Sequence, residues 1–320
     1  MNRNDRKRKR KMKKRNQRRT TAGYVLYPFL LYWVINMAAV AVAEAVVIAR
    51  YAMKYVDPSA GTKVVMEYIN SHYDKIYALV SAHAVELTTA GAIATGIMAW
   101  ILLRKDRKEA AEQEKNAGGI KTKTALKAGW KYYPLLAVFG AAVCVALNNL
   151  SNMAGLAFYS EAYQKTSATF YSAGFAVQIV CLGILIPISE EMVFRGLIFG
   201  RCRRISMFRT AMLYSAAFFA VSHGNMVQIL YSFVLGLFLA YVYETFSSLA
   251  APICLHITVN MTSLLLTKAD GFTWMFSSAV RLGIFTIGGV FISACIFVLI
   301  RQIKEKQETP EAGEQNINKE

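Results

Sequence analysis

Long apolar runs separated by short polar segments make up most of this chain. A hydrocarbon core of about 30 Å needs about 20 apolar residues in a helix that rises about 1.5 Å per residue, so each long run predicts a membrane-spanning helix. The sequence contains eight such runs: Tyr24–Ile48, Tyr77–Leu103, Leu135–Tyr159, Phe170–Gly200, Met207–Ser222, Met226–Tyr243, Ser248–Leu266 and Val280–Ile300. Only His223, Gly224 and Asn225 separate the fifth run from the sixth, which predicts a tight hairpin with its turn at membrane depth. The predicted fold class is all-α, a polytopic membrane protein with about eight transmembrane helices around a polar intramembrane cavity.

Basic residues fall in segments that alternate along these runs. Residues 1–20 carry 12 Lys and Arg, residues 104–132 carry nine and residues 201–209 carry four, whereas residues 161–169 and 267–278 carry one each. The first outer loop fits less well, since residues 49–76 carry four, but this loop is long and the basic tail before it is far richer. Because cytoplasmic loops of membrane proteins hold the excess of Lys and Arg, eight passes with both termini in the cytoplasm fit this pattern. We therefore expect a multi-pass protein of the cell membrane, in a bacterium, with cytoplasmic N and C termini.

Composition and charge exclude several classes of protein. Hydrophobic residues make up 55% of the 320-residue chain and the mean hydropathy is +0.32, outside the range of ordinary soluble domains. Most of the net charge of +17 comes from residues 1–20, so the charge does not indicate a body that binds nucleic acid. We expect anionic lipid headgroups as partners of this segment, and no nucleic acid. The predicted organisation is a basic cytosolic tail (1–20), a helical membrane domain (21–301) and a polar cytosolic tail (302–320).

Charged, imidazole and amide side chains inside the spans are the candidates for chemistry, since such groups are costly at membrane depth. The strongest set consists of Glu190, Glu191 and Arg195 in the fourth span, His223 at the end of the fifth, and His256 and Asn260 in the seventh. Counted from the cytosolic end of each span, Glu190, His223, His256 and Asn260 share one layer of the membrane, about 12–24 Å deep at about 1.5 Å per residue. A purely structural network would not need so many costly groups at one depth.

Helical spacing predicts how these groups meet. Glu191 and Arg195 are four residues apart and share a helix face, so they can form an ion pair. Glu190 is rotated from Glu191 by about 100° and stays available. His256 and Asn260 are also four residues apart and project from one face.

A second pair of amides lies in the third span. Asn148 and Asn152 are four residues apart and share a face. Hydrogen bonding between helices is the ordinary interpretation of such residues. A place on the wall of the inner cavity is the alternative.

These residue types favour hydrolysis by an activated water. A buried carboxylate beside a histidine can hold a water molecule and deprotonate it, and that water could attack a peptide carbonyl. His256 and Asn260 could donate hydrogen bonds to the developing oxyanion, an interaction commonly worth about 3–4 kcal/mol per donor. Such a set needs no serine or cysteine nucleophile.

Zinc is the alternative to this metal-free chemistry. Glu190, His223 and His256 could act as ligands with Glu191 as the base, because one glutamate and two histidines form a known zinc-hydrolase set. The chain has four histidines and no H-E-x-x-H motif. Glu191 is better used in a pair with Arg195, so the sequence favours no cofactor and leaves Zn²⁺ as the alternative.

The ordered motifs resemble those of a known family. Glu190-Glu191-x-x-x-Arg195, Phe219-x-x-x-His223 and His256-x-x-x-Asn260 follow one another on successive hydrophobic segments. In this order they resemble the three motifs of the CAAX protease and bacteriocin-processing family of intramembrane endopeptidases. The resemblance covers roughly residues 170–266, the motif core of the predicted protease domain.

The resemblance implies an eight-helix membrane protease whose cavity opens to the cytosolic side. The roles it implies are a water-activating base at Glu190 with His223 as its partner, supporting residues at Glu191 and Arg195, and oxyanion stabilisation by His256 and Asn260. The family is described both as glutamate-dependent and as metalloprotease. Its eukaryotic members cleave prenylated CAAX proteins, and its bacterial members are linked to peptide export and to bacteriocin immunity or processing.

We therefore predict an intramembrane endopeptidase that hydrolyses a peptide bond of a membrane-associated protein or peptide, with water activated by Glu190 and His223. Two other functions would use the same residues. A non-catalytic membrane scaffold or bacteriocin-immunity protein would keep them for packing. A proton-coupled transporter would use the buried carboxylates as a relay and would need access from both sides of the membrane.

Overall fold

The computed structural model of the chain describes residues 3–116 and 129–308. These residues form helices and contain no β-strand, as the predicted fold class requires. The helices are α1 (Arg3–Ala52), α2 (Thr62–Ser71), α3 (Tyr73–Ala82), α4 (Ala84–Asn116), α5 (Tyr133–Met153), α6 (Leu156–Tyr159), α7 (Glu161–Tyr171), α8 (Phe175–Ile205), α9 (Phe208–Val221), α10 (Met226–Phe246), α11 (Ala250–Lys268), α12 (Gly271–Phe276) and α13 (Ala279–Glu308). Short 3-10 turns lie at Pro58–Ala60 and Trp130–Tyr132.

Seven helices of the described part are long and apolar enough to cross a membrane, namely α1, α4, α5, α8, α10, α11 and α13. The predicted fifth span differs, because α9 has 14 residues and is about 21 Å long at about 1.5 Å per residue. The chain reverses after α9 at Gly224, whose φ of +77° suits a glycine. The side chain of Asn225 then caps α10 by accepting a hydrogen bond from the Gln228 amide. The predicted hairpin is confirmed, but its first arm is shorter than a full span.

Helix α8 is continuous but irregular. Two π-helical segments, Ile179–Leu185 and Met192–Phe199, enclose the six residues Ile186–Glu191. Pro187 lies in this central part and has no amide hydrogen to donate. Such π-helical segments are rare and occur often at functional sites.

Helix packing brings the spans together around α5, α8 and the α9–α10 hairpin. Helix α5 lies against both α11 and α13, and α1 lies against α4. An added Cβ at Gly236 of α10 would lie 3.0 Å from the Ala216 Cα, so the two arms of the hairpin touch at their backbones. Close approach of this kind is typical of helix packing in membranes.

Ion pairs join the helices at the end of the bundle that carries the basic loops. Arg201 Nε and Nη2 donate to the two carboxylate oxygens of Asp106 at 2.9 and 3.0 Å. Arg203 Nη2 donates to Glu244 at 2.8 Å. Arg201 also donates to the backbone carbonyl of Tyr24. Helices α1, α4, α8 and α10 are therefore fixed to one another at this end.

Several predicted features fall on residues or side chains outside the described part of the structure. They are the contact of the residue 1–20 side chains with lipid headgroups, part of the basic loop (residues 117–128) and most of the C-terminal tail (residues 309–320). Helix α13 itself continues to Glu308, beyond the predicted boundary at residue 301.

Candidate active site

The two adjacent carboxylates of α8 have different surroundings. Glu191 is fully buried, and its Oε1 accepts from Arg195 Nη1 at 3.0 Å, which confirms the predicted ion pair. The same oxygen lies 2.9 Å from His256 Nδ1 on α11. Glu190 faces a cavity, and 15% of its side chain is exposed. The helical rotation between neighbouring residues thus leaves one carboxylate paired inside the protein and the other accessible.

Arg195 connects the first motif to the hairpin. Its side chain is fully buried, its Nη2 donates to the Gly236 carbonyl at 3.3 Å, and its guanidinium lies 4.3 Å from the centroid of the Phe219 ring. The missing side chain at Gly236 lets the arms of the hairpin meet beside this carbonyl. Arg195 therefore holds α8 against α10 and supports Phe219, the aromatic residue of the second motif.

The contact with Glu191 determines which nitrogen of His256 carries the proton. Because Glu191 is paired with Arg195, we assign it as a carboxylate, and its neighbour Nδ1 must then be the donor. His256 Nε2 lies 3.7 Å from Glu190 Oε2. In a neutral imidazole this Nε2 accepts, and it donates only when the ring is an imidazolium. Donation by His256 to an oxyanion therefore needs the charged ring.

His223 lies directly after α9, at the hairpin turn. Its Nδ1 lies 2.8 Å from the Phe219 carbonyl one helical turn earlier, and its ring stands edge-on to the Phe219 ring. A carbonyl can only accept, so Nδ1 is the donor and Nε2 is left free. Because His223 and Glu190 line the same cavity, this free nitrogen can take part in binding a water or a substrate.

Asn260 compensates for a break in the hydrogen bonds of α8. The Ile186 amide donates five residues back, to Cys181, rather than to Leu182. In this π-helical register the Leu182 carbonyl would accept a hydrogen bond from the amide of residue 187, but Pro187 has no amide hydrogen. The Leu182 carbonyl is instead satisfied by Asn260 Nδ2 at 2.8 Å. One hydrogen of the Asn260 amide is thus occupied, and the second stays available to a ligand.

A cavity of about 330 Å³ brings the predicted catalytic residues together. Glu190, His223, His256 and Asn260 all line it, whereas Glu191 and Arg195 lie behind its wall. A second cavity of about 180 Å³ shares Asn148 and several other lining residues with the first. The alternative interpretation of the third-span amides is confirmed, since Asn148 lines both cavities and Asn152 lines the second.

Sequence reasoning missed the lining residues of α7. Tyr163, Ser167 and Tyr171 line both cavities. They occur at four-residue intervals, a spacing that predicts one polar, cavity-lining face of a helix between the third and fourth spans. Burial raises the pKa of Tyr163, which keeps its phenol protonated and able to donate a hydrogen bond.

The zinc alternative requires Glu190, His223 and His256 to converge on one point. Zinc binds histidine nitrogens and carboxylate oxygens at about 2.0–2.2 Å, so the ligand atoms must lie within roughly 4 Å of one another. The separation of 3.7 Å between His256 and Glu190 meets this condition. However, no three His, Cys, Asp or Glu side chains of the described residues are grouped closely enough to hold an ion. In the described side-chain positions the three predicted ligands are not gathered around one point, and the choice between zinc and no cofactor stays a prediction.

Comparison with known proteins agrees with the motif analysis. Residues 172–262 match the model of the family described as type II CAAX prenyl endopeptidase Rce1-like. A search of the curated proteins and a search of the solved structures each found no match. The matched segment contains Glu190, His223, His256 and Asn260. It confirms, for the part of the chain that forms the site, the predicted resemblance to the CAAX protease and bacteriocin-processing family of membrane peptidases.

Proposed function

We propose that this protein is an intramembrane endopeptidase that hydrolyses a peptide bond of a membrane-associated protein or peptide. The observation that carries the proposal is the convergence of Glu190, His223, His256 and Asn260 on one cavity within a helical membrane bundle. They come from α8, the α9–α10 turn and α11, so separate segments contribute to one site. The match to a peptidase family over the same segment supports the reaction class.

Water activation is the first step of the proposed mechanism. Glu190 takes a proton from a water held between it and the free Nε2 of His223, and the hydroxide attacks the peptide carbonyl. Glu190 is suited to this role because it lies on the cavity wall, whereas the neighbouring Glu191 is paired with Arg195 and does not line the cavity. The protonated Glu190 can then pass its proton to the leaving amine.

Oxyanion stabilisation is the second part. Asn260 offers its remaining amide hydrogen, and His256 offers Nε2–H in its imidazolium form. With His256 charged, two carboxylates face two cations, so the site is neutral overall before water is deprotonated. We propose that the reaction uses these groups and water without zinc.

We also propose that both termini are cytoplasmic. The distribution of Lys and Arg supports this orientation, with 12 in residues 1–20, four in residues 201–209 and one in residues 267–278. Residues 1–20 would then contact anionic headgroups of the cytoplasmic leaflet.

The proposed activity is tested by cleavage of an internally quenched peptide library in detergent. We expect Glu190→Gln and His223→Ala to lower cleavage by about 10²-fold or more, as loss of a general base does. Glu86→Gln is the matched control, because Glu86 is a half-exposed carboxylate beside His83 and does not line either cavity. Full cleavage by Glu190→Gln would contradict the proposal, and loss of wild-type cleavage under a zinc chelator would contradict the metal-free mechanism.

A further inference from the structure

The cavity extends from Glu190 toward only one end of the bundle. The second cavity, which continues the first, is lined by Asn152 near the end of α5, by Val227 at the start of α10 and by Thr267 near the end of α11. Phe272 and Phe276 of α12 and three side chains of α7 complete its wall. All these positions lie at the end of the bundle with few Lys and Arg residues.

The opposite end is closed by tightly packed side chains. Arg201 lies eleven positions after Glu190 in α8, a distance of about 16 Å at about 1.5 Å per residue. Within this stretch Phe194, Leu197 and Ile198 are completely buried. Fully buried side chains of α10 and α11 pack against the same layer, including Leu239, Phe246, Ala251 and Leu255.

Ion pairs close the outer boundary of this layer. Arg201 is bound by both oxygens of Asp106, and both side chains are less than 9% exposed. No residue of the segment 193–201 lines either cavity. A substrate could reach Glu190 from this end only by separating α4, α8 and α10.

From these observations we propose that the site receives its substrate from the extracytoplasmic side of the membrane, and that it cleaves an uncharged, polar segment of that substrate. The first part combines the open end of the cavity with the orientation given by the basic loops. It differs from the cytosolic opening that the family resemblance implies. The inference rests on the proposed peptidase function.

The chemistry of the wall supports the second part of the inference. Hydroxyl and amide side chains of six helices line the cavities, among them Asn148, Ser167, Gln228, Tyr231 and Ser263. Such groups can bind the N–H and C=O groups of an extended backbone. None of the described residues that line either cavity is Lys or Arg, so apart from His256, whose imidazolium form is assigned to the oxyanion, the wall offers no cation for a C-terminal carboxylate. A peptide with an amidated C terminus is therefore expected to be cleaved as well as its free acid.

The first test compares how fast the wild-type protein cleaves peptides added to either side of the membrane. Uncharged quenched decapeptides, amidated or with a free C terminus, are added to sealed right-side-out vesicles, to inverted vesicles and to detergent-solubilised protein, each with Glu190→Gln as the blank. We expect at least tenfold faster cleavage by right-side-out than by inverted vesicles, and rates within twofold for the two C-terminal forms. Activity in detergent with faster cleavage by inverted vesicles would overturn the inference and leave the peptidase proposal standing. Detergent activity that Glu190→Gln retains would overturn the peptidase proposal itself.

Thiol labelling tests access without relying on catalysis. In a parent with the five native cysteines replaced, Ser167→Cys reports on the cavity and Met207→Cys reports on the basic end, where Met207 is 83% exposed. A membrane-impermeant sulfonated thiosulfonate reagent should modify Ser167→Cys at least tenfold faster in right-side-out vesicles and Met207→Cys at least tenfold faster in inverted ones. Faster modification of Ser167→Cys in inverted vesicles would overturn the inference, whatever the cleavage assay shows.

Discussion

The buried contact of Glu191 with both Arg195 and His256 allows stability and catalysis to be separated. Glu191→Leu leaves the Arg195 charge without its carboxylate, and Arg195→Met removes one of the two partners of Glu191. Both side chains are fully buried. Breaking one partner of a buried ion pair costs about 3–5 kcal/mol, because the remaining charge stays desolvated.

The double variant is expected to be more stable than either single one. Replacing both charges by apolar side chains of similar volume removes the isolated charge, and the main residual cost is the unpaired Nδ1 of His256, about 1–3 kcal/mol. The two single effects would sum to about 6–10 kcal/mol, so the coupling between Glu191 and Arg195 should exceed about 3 kcal/mol. The free energy of unfolding can be followed by titration with sodium dodecyl sulfate in mixed micelles.

Catalysis should not recover in the double variant. Without Glu191 nothing fixes the proton on Nδ1 of His256, so cleavage per folded molecule should fall by about 10²–10⁴-fold. The control is Arg203→Met with Glu244→Leu, which removes a partly exposed ion pair whose residues line neither cavity and should leave cleavage unchanged. Wild-type cleavage by the Glu191→Leu/Arg195→Met protein would refute the role given to this contact, and a stability equal to the sum of the single losses would refute the coupling.

Three further variants test separate contacts of the site. Asn260→Ala leaves the Leu182 carbonyl without its donor, so we expect about 1–3 kcal/mol lower stability in the same titration and at least tenfold slower cleavage. Gly140→Ala places a Cβ 2.9 Å from the backbone carbonyl that precedes His256, which should displace α11 and slow cleavage of the peptide library more than it changes the melting temperature. Asp106→Asn removes the charge that pairs with the buried arginine at the basic end and should lower stability by about 3–5 kcal/mol, while the cleavage rate of the folded fraction remains normal.

The ion pair and the shared layer of polar groups follow from local rules, which explains why the sequence predicted them. A four-residue interval places Glu191 beside Arg195 in any regular helix, and counting residues from the span ends gives depth. The third partner, His256, comes from a helix 65 positions later in the chain. No local rule determines which of two adjacent carboxylates such a distant side chain will meet.

The position of Asn260 depends on a departure from regular helix geometry. Pro187 has no amide hydrogen, so one carbonyl of α8 lacks its donor. In a regular α-helix this would be the Gly183 carbonyl, four residues earlier. The π-helical register of Ile179–Leu185 moves it to Leu182, where Asn260 donates. Regular periodicity therefore predicts that Asn260 faces the site but does not predict its hydrogen bond to the Leu182 carbonyl.

The end from which the cavity opens depends on the packing of apolar side chains. Phe194, Leu197 and Ile198 look like residues that face lipid, and only their complete burial against α10 and α11 shows that they close the basic end. The arginine at position 201 was counted in the sequence as a signal of membrane orientation, yet it also forms the bidentate pair that joins α8 to α4. The basic residues that would orient the protein thus take part in closing the basic end of the bundle. The open end of the cavity is fixed within the helical bundle. A variant that inserts with the opposite membrane orientation, because Lys and Arg have been moved to the other loops, is therefore expected to take its substrate from the opposite side of the membrane.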